Sequence, residues 1–360
     1  MIRLLKRHRT CVICCFIIVS TVLCFGGWSF IPSTLRGTIT RNISWNVRIF
    51  SFRNWKRRVH LTPKYDGAVM PAQKPPLNIV LPTASTYNLC VILHGGLGNQ
   101  MFQFASLYGL AAKKGMSVTI DRKNDLTKVF KLSVDMKDQY KTICEKLPAR
   151  DEKLDCGYDE GLDAFQPNIS YRVKDYLQSW TYFYNSSKAI RKQFVFHDTI
   201  IEKRNNIINS ILKKHNFKSR SDVTLIGVHA RRGDFINNTF GYLVASESYF
   251  RKTMNYFRLR RFKNTIFIIC SNDMNWTKKH VINEVRSEFI VGHSEGVDMA
   301  LLGSCNHMIT SVGTFSWWSA WLTGGEVTFY QWPARDGSAL REQFSEDYTD
   351  FFYPGWVGFS

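Results

Sequence analysis

Apolar and polar positions change rhythm twice along the 360 residues. The first pattern is an unbroken apolar run, Cys11 to Trp28 (CVICCFIIVSTVLCFGGW). It lies in an uncharged stretch from Thr10 to Leu35 and follows Arg3, Lys6, Arg7 and Arg9. About 18–20 residues at 1.5 Å each nearly cross a hydrocarbon core of roughly 30 Å. Positive charge before such a span keeps the N-terminus cytoplasmic. The run is long for a cleaved signal peptide, and no small-x-small site precedes a polar start. The expectation is a cytoplasmic tail (1–9), a transmembrane signal anchor (10–30) and a luminal remainder. From 31 to 86 no period is visible, and five of the ten prolines fall between Pro63 and Pro82. That texture predicts an extended stem.

From 87 the rhythm is that of a folded α/β unit. Leu89–Leu93 (LCVIL) is a short apolar run, followed by the Gly-rich turn HGGLGNQ (94–100). Met101, Phe104, Ala105, Tyr108, Ala111 and Ala112 then share one helical face, and Ser117–Ile120 reads as the next strand. A second series starts near 222. VTLIGVH (223–229), TIFIIC (265–270), EFIVG (288–292), HMITS (307–311) and VTFY (327–330) read as strands. Helices are expected from Asp298 and over FSWWSAWL (315–322). Strands alternating with helices predict parallel sheets. The expected architecture is two Rossmann-like halves, 87–220 and 221–360, with a cleft between them. The region 122–220 is less readable; it holds an acidic loop (151–163) and an aromatic run, YLQSWTYFY (176–184).

A formal net charge of +19 favours anionic partners, yet no basic block with interleaved aromatics suggests a nucleic-acid module. Sequons at Asn42, Asn168, Asn185, Asn237 and Asn275 fit a luminal glycoprotein. Beyond the anchor lie Cys90, Cys144, Cys156, Cys270 and Cys305, an odd number whose pairing the spacing does not fix.

Parallel sheets bind ligands at the carboxyl ends of their strands, and three motifs fall there. In HGGLGNQ the glycines allow close backbone approach, and the following helix points free N–H groups at a ligand. In GVHARRGDF (227–235), His229 sits near a strand end before Arg231 and Arg232, whose planar forks match phosphate. The competing readings are salt bridging to local carboxylates, or an exposed adhesion tripeptide at Arg232-Gly233-Asp234. The buried strand before it argues against the latter. In SVGTFSWW (311–318), Thr314, Phe315 and Ser316 open a helix. Asp298 reads either as a helix N-cap or as a carboxylate facing a guanine.

HGGLGNQMFQFA, GVHARRGDF and DMALLGSCNHMITSVGTFSWWSAWLTGG resemble, in order, the three motifs of the inverting alpha-1,2-fucosyltransferases. The closing Pro354-Gly355-Trp356-Val357-Gly358 is similar to that family's ending. The likeness runs from about 89 to 358, apart from 122–220. It implies a GT-B-like fold using GDP-fucose as donor, without a metal cofactor, in type II Golgi membrane enzymes acting on glycans, often at the 2-hydroxyl of galactose. The sequence has no Asp-x-Asp triplet to hold a metal on a diphosphate. By the resemblance, Arg231 binds the diphosphate and His229 lies beside the nucleotide, where Arg232 supports it or touches it. Thr314 and Ser316 form the phosphate-contacting helix start, Asp298 reads guanine, and Asn99 lies near the fucose and diphosphate; Gly96 and Phe315 beside them are further GDP-fucose-binding candidates. Ala230 and Phe235 replace a common valine and tyrosine. Asp234 is the nearest carboxylate to serve as base, with a water relay or an acid within 151–163 as alternatives. A fucosyltransferase of other acceptor, or an inactive GDP-sugar-binding membrane protein, are the competing functions.

Overall fold

The computed structural model describes residues 66–281 and 286–360. The tail, the anchor, Asn42 and the stem up to 65 lie outside the described residues. Among the described residues, no helix is long and apolar enough to cross a membrane. The end of the expected stem is part of the folded body instead. Strand β1 (Ala68–Val69) pairs antiparallel with the C-terminal strand, and the Met70 side chain is buried in the core. Asp66 adds an ion pair to Lys252 at 2.6 Å. The chain lies flat there because its backbone groups find partners: Met70 N–H donates to the Trp356 carbonyl at 2.7 Å.

The first sheet holds β2 (Asn88–Cys90), β3 (Ser117–Asp121), β4 (Asp135–Lys137), β5 (Ala149–Arg150) and β6 (Tyr171–Val173). Their order is β4-β3-β2-β6-β5, parallel throughout. A disulfide joins Cys90 to Cys144 across 54 residues. Closing a loop of that length is worth about 4 kcal/mol in the chain-entropy account. Cys156, Cys270 and Cys305 are free and buried.

Helix α1 (Leu97–Lys114) follows β2. It ends at Gly115, whose φ of 65° lets the chain leave in the left-handed region, and Lys113 and Lys114 oppose the dipole of its last turn. Its sequence predicts one apolar face, yet it is buried all round from Gln100 to Ala112. The reason is its place: it packs on the first sheet and also on a helix of the second half.

The second sheet is β1-β12-β11-β10-β7-β8-β9. It comprises β7 (Thr224–Ala230), β8 (Thr265–Ser271), β9 (Ser287–Phe289), β10 (His307–Thr310), β11 (Val327–Tyr330) and β12 (Val357–Phe359). All neighbours are parallel except β1 and β12. The near-continuous apolar runs are explained by burial of both faces: six of the seven β7 residues are buried. β9 stops at Phe289, short of the expected Gly292. Helix α2 (Asp198–Lys214) fills part of the region that the sequence left unread. Helix α3 (Glu247–Leu259) begins at a Ser246 cap. Helix α4 spans Glu295–Gly303 and α5 spans Thr314–Thr323. Asp298 is therefore inside α4, one turn past its start, and is not the N-cap.

An aromatic junction joins the two halves. Phe102 of α1 lies 4.7 Å from the Trp317 ring and 5.0 Å from the Trp318 ring of α5, centroid to centroid. Phe183, from the aromatic run, stacks on Trp318 at 5.4 Å. Such pairs are worth about 0.5–1.5 kcal/mol each beyond their buried area. They hold the starts of α1 and α5 against each other. Asn168, Asn185, Asn237 and Asn275 are all exposed.

Candidate active site

The starts of α1 and α5 meet at Gly98. A Cβ on Gly98 would fall 2.5 Å from Phe315 N and 2.8 Å from Thr314 Oγ1. The glycine is thus needed for helix-to-helix approach, a role the motif alone does not distinguish from approach to a ligand. Neither helix has a side-chain cap or an acid in its first turn. Gly313 enters α5 with φ 88°, a conformation that favours glycine. Two helix starts with unsatisfied N–H groups and two positive dipole ends therefore converge on one place.

That place is a cavity of about 500 Å³ lined by both halves. Gly96 and Asn99 line it from α1, and Thr314 and Phe315 from α5. Asn99 Oδ1 accepts from Thr314 Oγ1 at 2.6 Å and from Gln178 Nε2 at 3.4 Å. Those bonds fix the amide, whose Nδ2 lies close against Gly95.

From the end of β7, Arg231 and Asp234 line the cavity. Arg231 N–H donates to Ser311 Oγ at 2.8 Å, and Nη2 pairs with Asp234 Oδ2 at 2.8 Å. Asp234 Oδ1 accepts from Asn272 Nδ2 at 3.3 Å. Both ion-pair partners keep solvent access, so the bridge is worth at most about 1 kcal/mol. It occupies one of the five guanidinium donors and leaves the rest free for an anion.

Arg232 takes the opposite direction and does not line the cavity. Its guanidinium carbon lies 3.6 Å above the Trp276 ring, with Nε 3.8 Å from Asp273 Oδ2. Direct contact between Arg232 and a nucleotide is thus corrected to a packing role. The same geometry removes the adhesion reading, because the tripeptide's arginine is stacked under a tryptophan and 13% exposed.

His229 is buried, and burial followed by the Arg231 charge pushes its pKa down to about 3. It is therefore a neutral imidazole, held by Ser316 Oγ at 3.0 Å from Nδ1. Ser316 also accepts from Ser311 N and does not line the cavity. Its hydroxyl faces His229 and the Ser311 N–H instead of the cavity, where the expected phosphate contact would need it.

Asp298 lines the cavity beyond β8. Burial raises its pKa to about 6, and its Oδ1 has no hydrogen-bond partner among the described residues. A buried acceptor without a partner costs about 1–3 kcal/mol, which a donor-bearing ligand would relieve. The sequence missed Glu295 and His293 beside it, Asn272 after β8, Tyr242 stacked on Phe235 at 3.9 Å, and Gln178. The strand-end rule reaches Asn272; nothing local signals Gln178. Among the described residues, no group of three or more His, Cys, Asp or Glu is placed to hold a metal ion.

Two α/β halves built on parallel strands share one cleft, a GT-B-like architecture. The particular family follows from comparison with known proteins: the family model of glycosyl transferase family 11 matches residues 69–360, and the chain belongs to that family. Galactoside alpha-(1,2)-fucosyltransferase 2 of Rattus norvegicus is 30% identical over 274 residues, covering 73% of this chain and 74% of that protein. Galactoside 2-alpha-L-fucosyltransferase Sec1 of Mus musculus is 28% identical over 273 residues, covering 73% and 72%. Among solved structures, an Arabidopsis thaliana FUT1 mutant in complex with GDP is similar at TM-score 0.47 and 12% identity, over 71% of this chain and 73% of that one. NodZ alpha-1,6-fucosyltransferase soaked with GDP-fucose gives 0.44 and 15%, over 66% and 93%.

Proposed function

We propose that the protein transfers L-fucose from GDP-fucose to the 2-hydroxyl of galactose on a glycan, by a metal-independent displacement that inverts the anomeric carbon. The observation that carries the reading is the convergence of two uncapped helix starts and Arg231 on one cavity, with the unpartnered Asp298 at its side. The names of the relatives supply the acceptor and linkage.

In this reading Asp298 accepts from guanine N–H groups, and the diphosphate lies against Arg231, Thr314 and the first α5 amides. As the C1–O bond breaks, charge grows on the diphosphate, and these donors are already oriented for it. One preorganised donor of this kind contributes roughly 3–4 kcal/mol, about 10²–10³ in rate. Gly96 and Asn99 border the fucose. The bonds from Arg231 and Asn272 to Asp234 support an orienting role, with the acceptor proton leaving to Asp234 or to water. The 87–220 half takes the acceptor and 221–360 the donor. The apolar run at 10–30, the stem and the five sequons support a type II Golgi membrane protein with a luminal catalytic part.

The test is GDP release by the full-length chain from GDP-fucose across a glycan panel, with and without EDTA. Release with galactose-terminated acceptors, unaffected by EDTA, is expected. Release that needs a divalent metal, or none with any glycan, contradicts the proposal.

A further inference from the structure

The acidic loop 151–163 and the turn 175–178 are clamped together beside the cleft by groups that the proposed chemistry does not use. Asp175 and Leu177 both adopt positive φ, 79° and 54°, which side-chain-bearing residues rarely hold without outside support. Three side chains supply it. Gln103 Nε2 donates to the Asp175 carbonyl at 3.2 Å, and Ser106 Oγ donates to the Leu177 carbonyl at 2.8 Å. Leu177 N–H donates to Glu152 Oε2 at 2.7 Å. The other Glu152 oxygen accepts from Tyr182 OH at 2.8 Å, and Tyr182 OH accepts in turn from Asp159 N–H at 2.8 Å. Gln178 N–H donates to the Asp155 carbonyl at 3.0 Å. Each clamped segment sends one residue into the cavity wall: Cys156 from the loop and Gln178 from the turn. Gln178 reaches Asn99, which in turn holds Thr314.

We infer that Glu152 is a positioning residue, whose carboxyl holds the strained 175–178 turn so that Gln178 and Cys156 form the acceptor-side wall of the cleft. The inference rests on the fucosyl-transfer reading for the word acceptor.

The groups facing Glu152 are Asp155 and the Cys156 thiol from its own loop, and Asp175 and Tyr182 from the turn and the segment after it. Among the described residues no cation contributes to its electrostatics. Burial, with those two acids, raises its pKa to about 9 against the opposing bonds from Tyr182 and Leu177. The carboxyl therefore works as a neutral acid: Oε2 accepts from Leu177 N–H, and the protonated Oε1 donates to the Tyr182 oxygen in place of accepting from it. A glutamine offers the same pattern. Ionisation above about pH 9 would place a buried charge among two acids and loosen the clamp.

The test compares wild type, Glu152→Gln, Glu152→Ala and Tyr182→Phe in the full-length chain, with GDP-fucose and a galactoside acceptor. For Glu152→Ala the acceptor kcat/KM falls about tenfold or more, while GDP affinity is kept. Tyr182→Phe, the milder variant if alanine fails to fold, lowers it by a smaller factor. Glu152→Gln keeps wild-type kinetics at pH 7, and from pH 8 to 10 it retains activity that wild type loses. The inference is overturned by wild-type acceptor kinetics in both Glu152→Ala and Tyr182→Phe, by Glu152→Gln as poor as alanine, or by identical alkaline limbs in wild type and Glu152→Gln. Absence of fucosyl transfer in wild type would instead overturn the proposed function.

Discussion

Arg231 and Arg232 are neighbours in the chain, yet they serve different regions. On the cleft side, Arg231 meets one exposed carboxylate and two helix starts that have donors but no acids. On the other side, Arg232 lies on Trp276, near Asp273, with its guanidinium mostly covered. Burial lowers the Arg232 pKa, a cost that its aromatic and acidic neighbours offset in part. The contrast teaches that a paired-arginine motif is not one functional unit. On the proposed reading, the arginine whose partners leave donors free serves the ligand, and its neighbour holds the turn that presents it.

The largest effect expected is from Arg231→Ala. Steady-state kcat/KM should fall by about 10²–10³, with the melting temperature nearly unchanged. Near-wild-type turnover would dissolve the distinction between the two arginines. Gly98→Ala comes next, acting on the junction that makes the cleft side. Its Cβ would meet Phe315 N at 2.5 Å, so chemical denaturation should show a loss of roughly 1–3 kcal/mol.

Asp298→Asn should weaken GDP binding about tenfold, or ~1.4 kcal/mol. Wild-type affinity should rise as pH passes upward through about 6, where the carboxyl ionises and becomes a full acceptor, and the asparagine variant should lack that rise. Stability runs the other way. The folded value lies above the ordinary 3.8, so the unliganded fold binds the proton more tightly than the unfolded chain. Its contribution is complete below 3.8 and is lost as pH rises towards 6. A pH series of melting temperatures on both proteins separates the two signs. The smallest effect is from Arg232→Ala: loss of about 0.5–2 kcal/mol of stability, and less than tenfold in kcat/KM.

Legibility followed the same divide. Strands β7, β8, β10 and β11 were readable within a residue or so because burial on both faces writes a continuous apolar run. Arg231 and Thr314 were readable as cleft-lining candidates because each follows such a strand, whereas Asp298 lies inside α4. Helix α1 was found, but its burial on every side was not, because that depends on α5, more than 200 residues later. The stem's end was misread because β1 is two residues long and is fixed only by pairing with β12. Ser316 and Arg232 carried the right chemistry in the wrong direction: only the fold shows that one faces His229 and the other Trp276. The 152–178 wall had no local signature, since Glu152, Leu177 and Gln178 act through bonds between segments some 25 residues apart.

The central claim is that the cleft side, through Arg231 and the two helix starts, holds the donor's diphosphate. Titration calorimetry of GDP into wild type, Arg231→Ala and Arg232→Ala at one pH and salt tests it directly. The expected dissociation constant is at least about tenfold weaker for Arg231→Ala, and within about twofold of wild type for Arg232→Ala. Equal weakening in both variants, or wild-type affinity in Arg231→Ala, would contradict it.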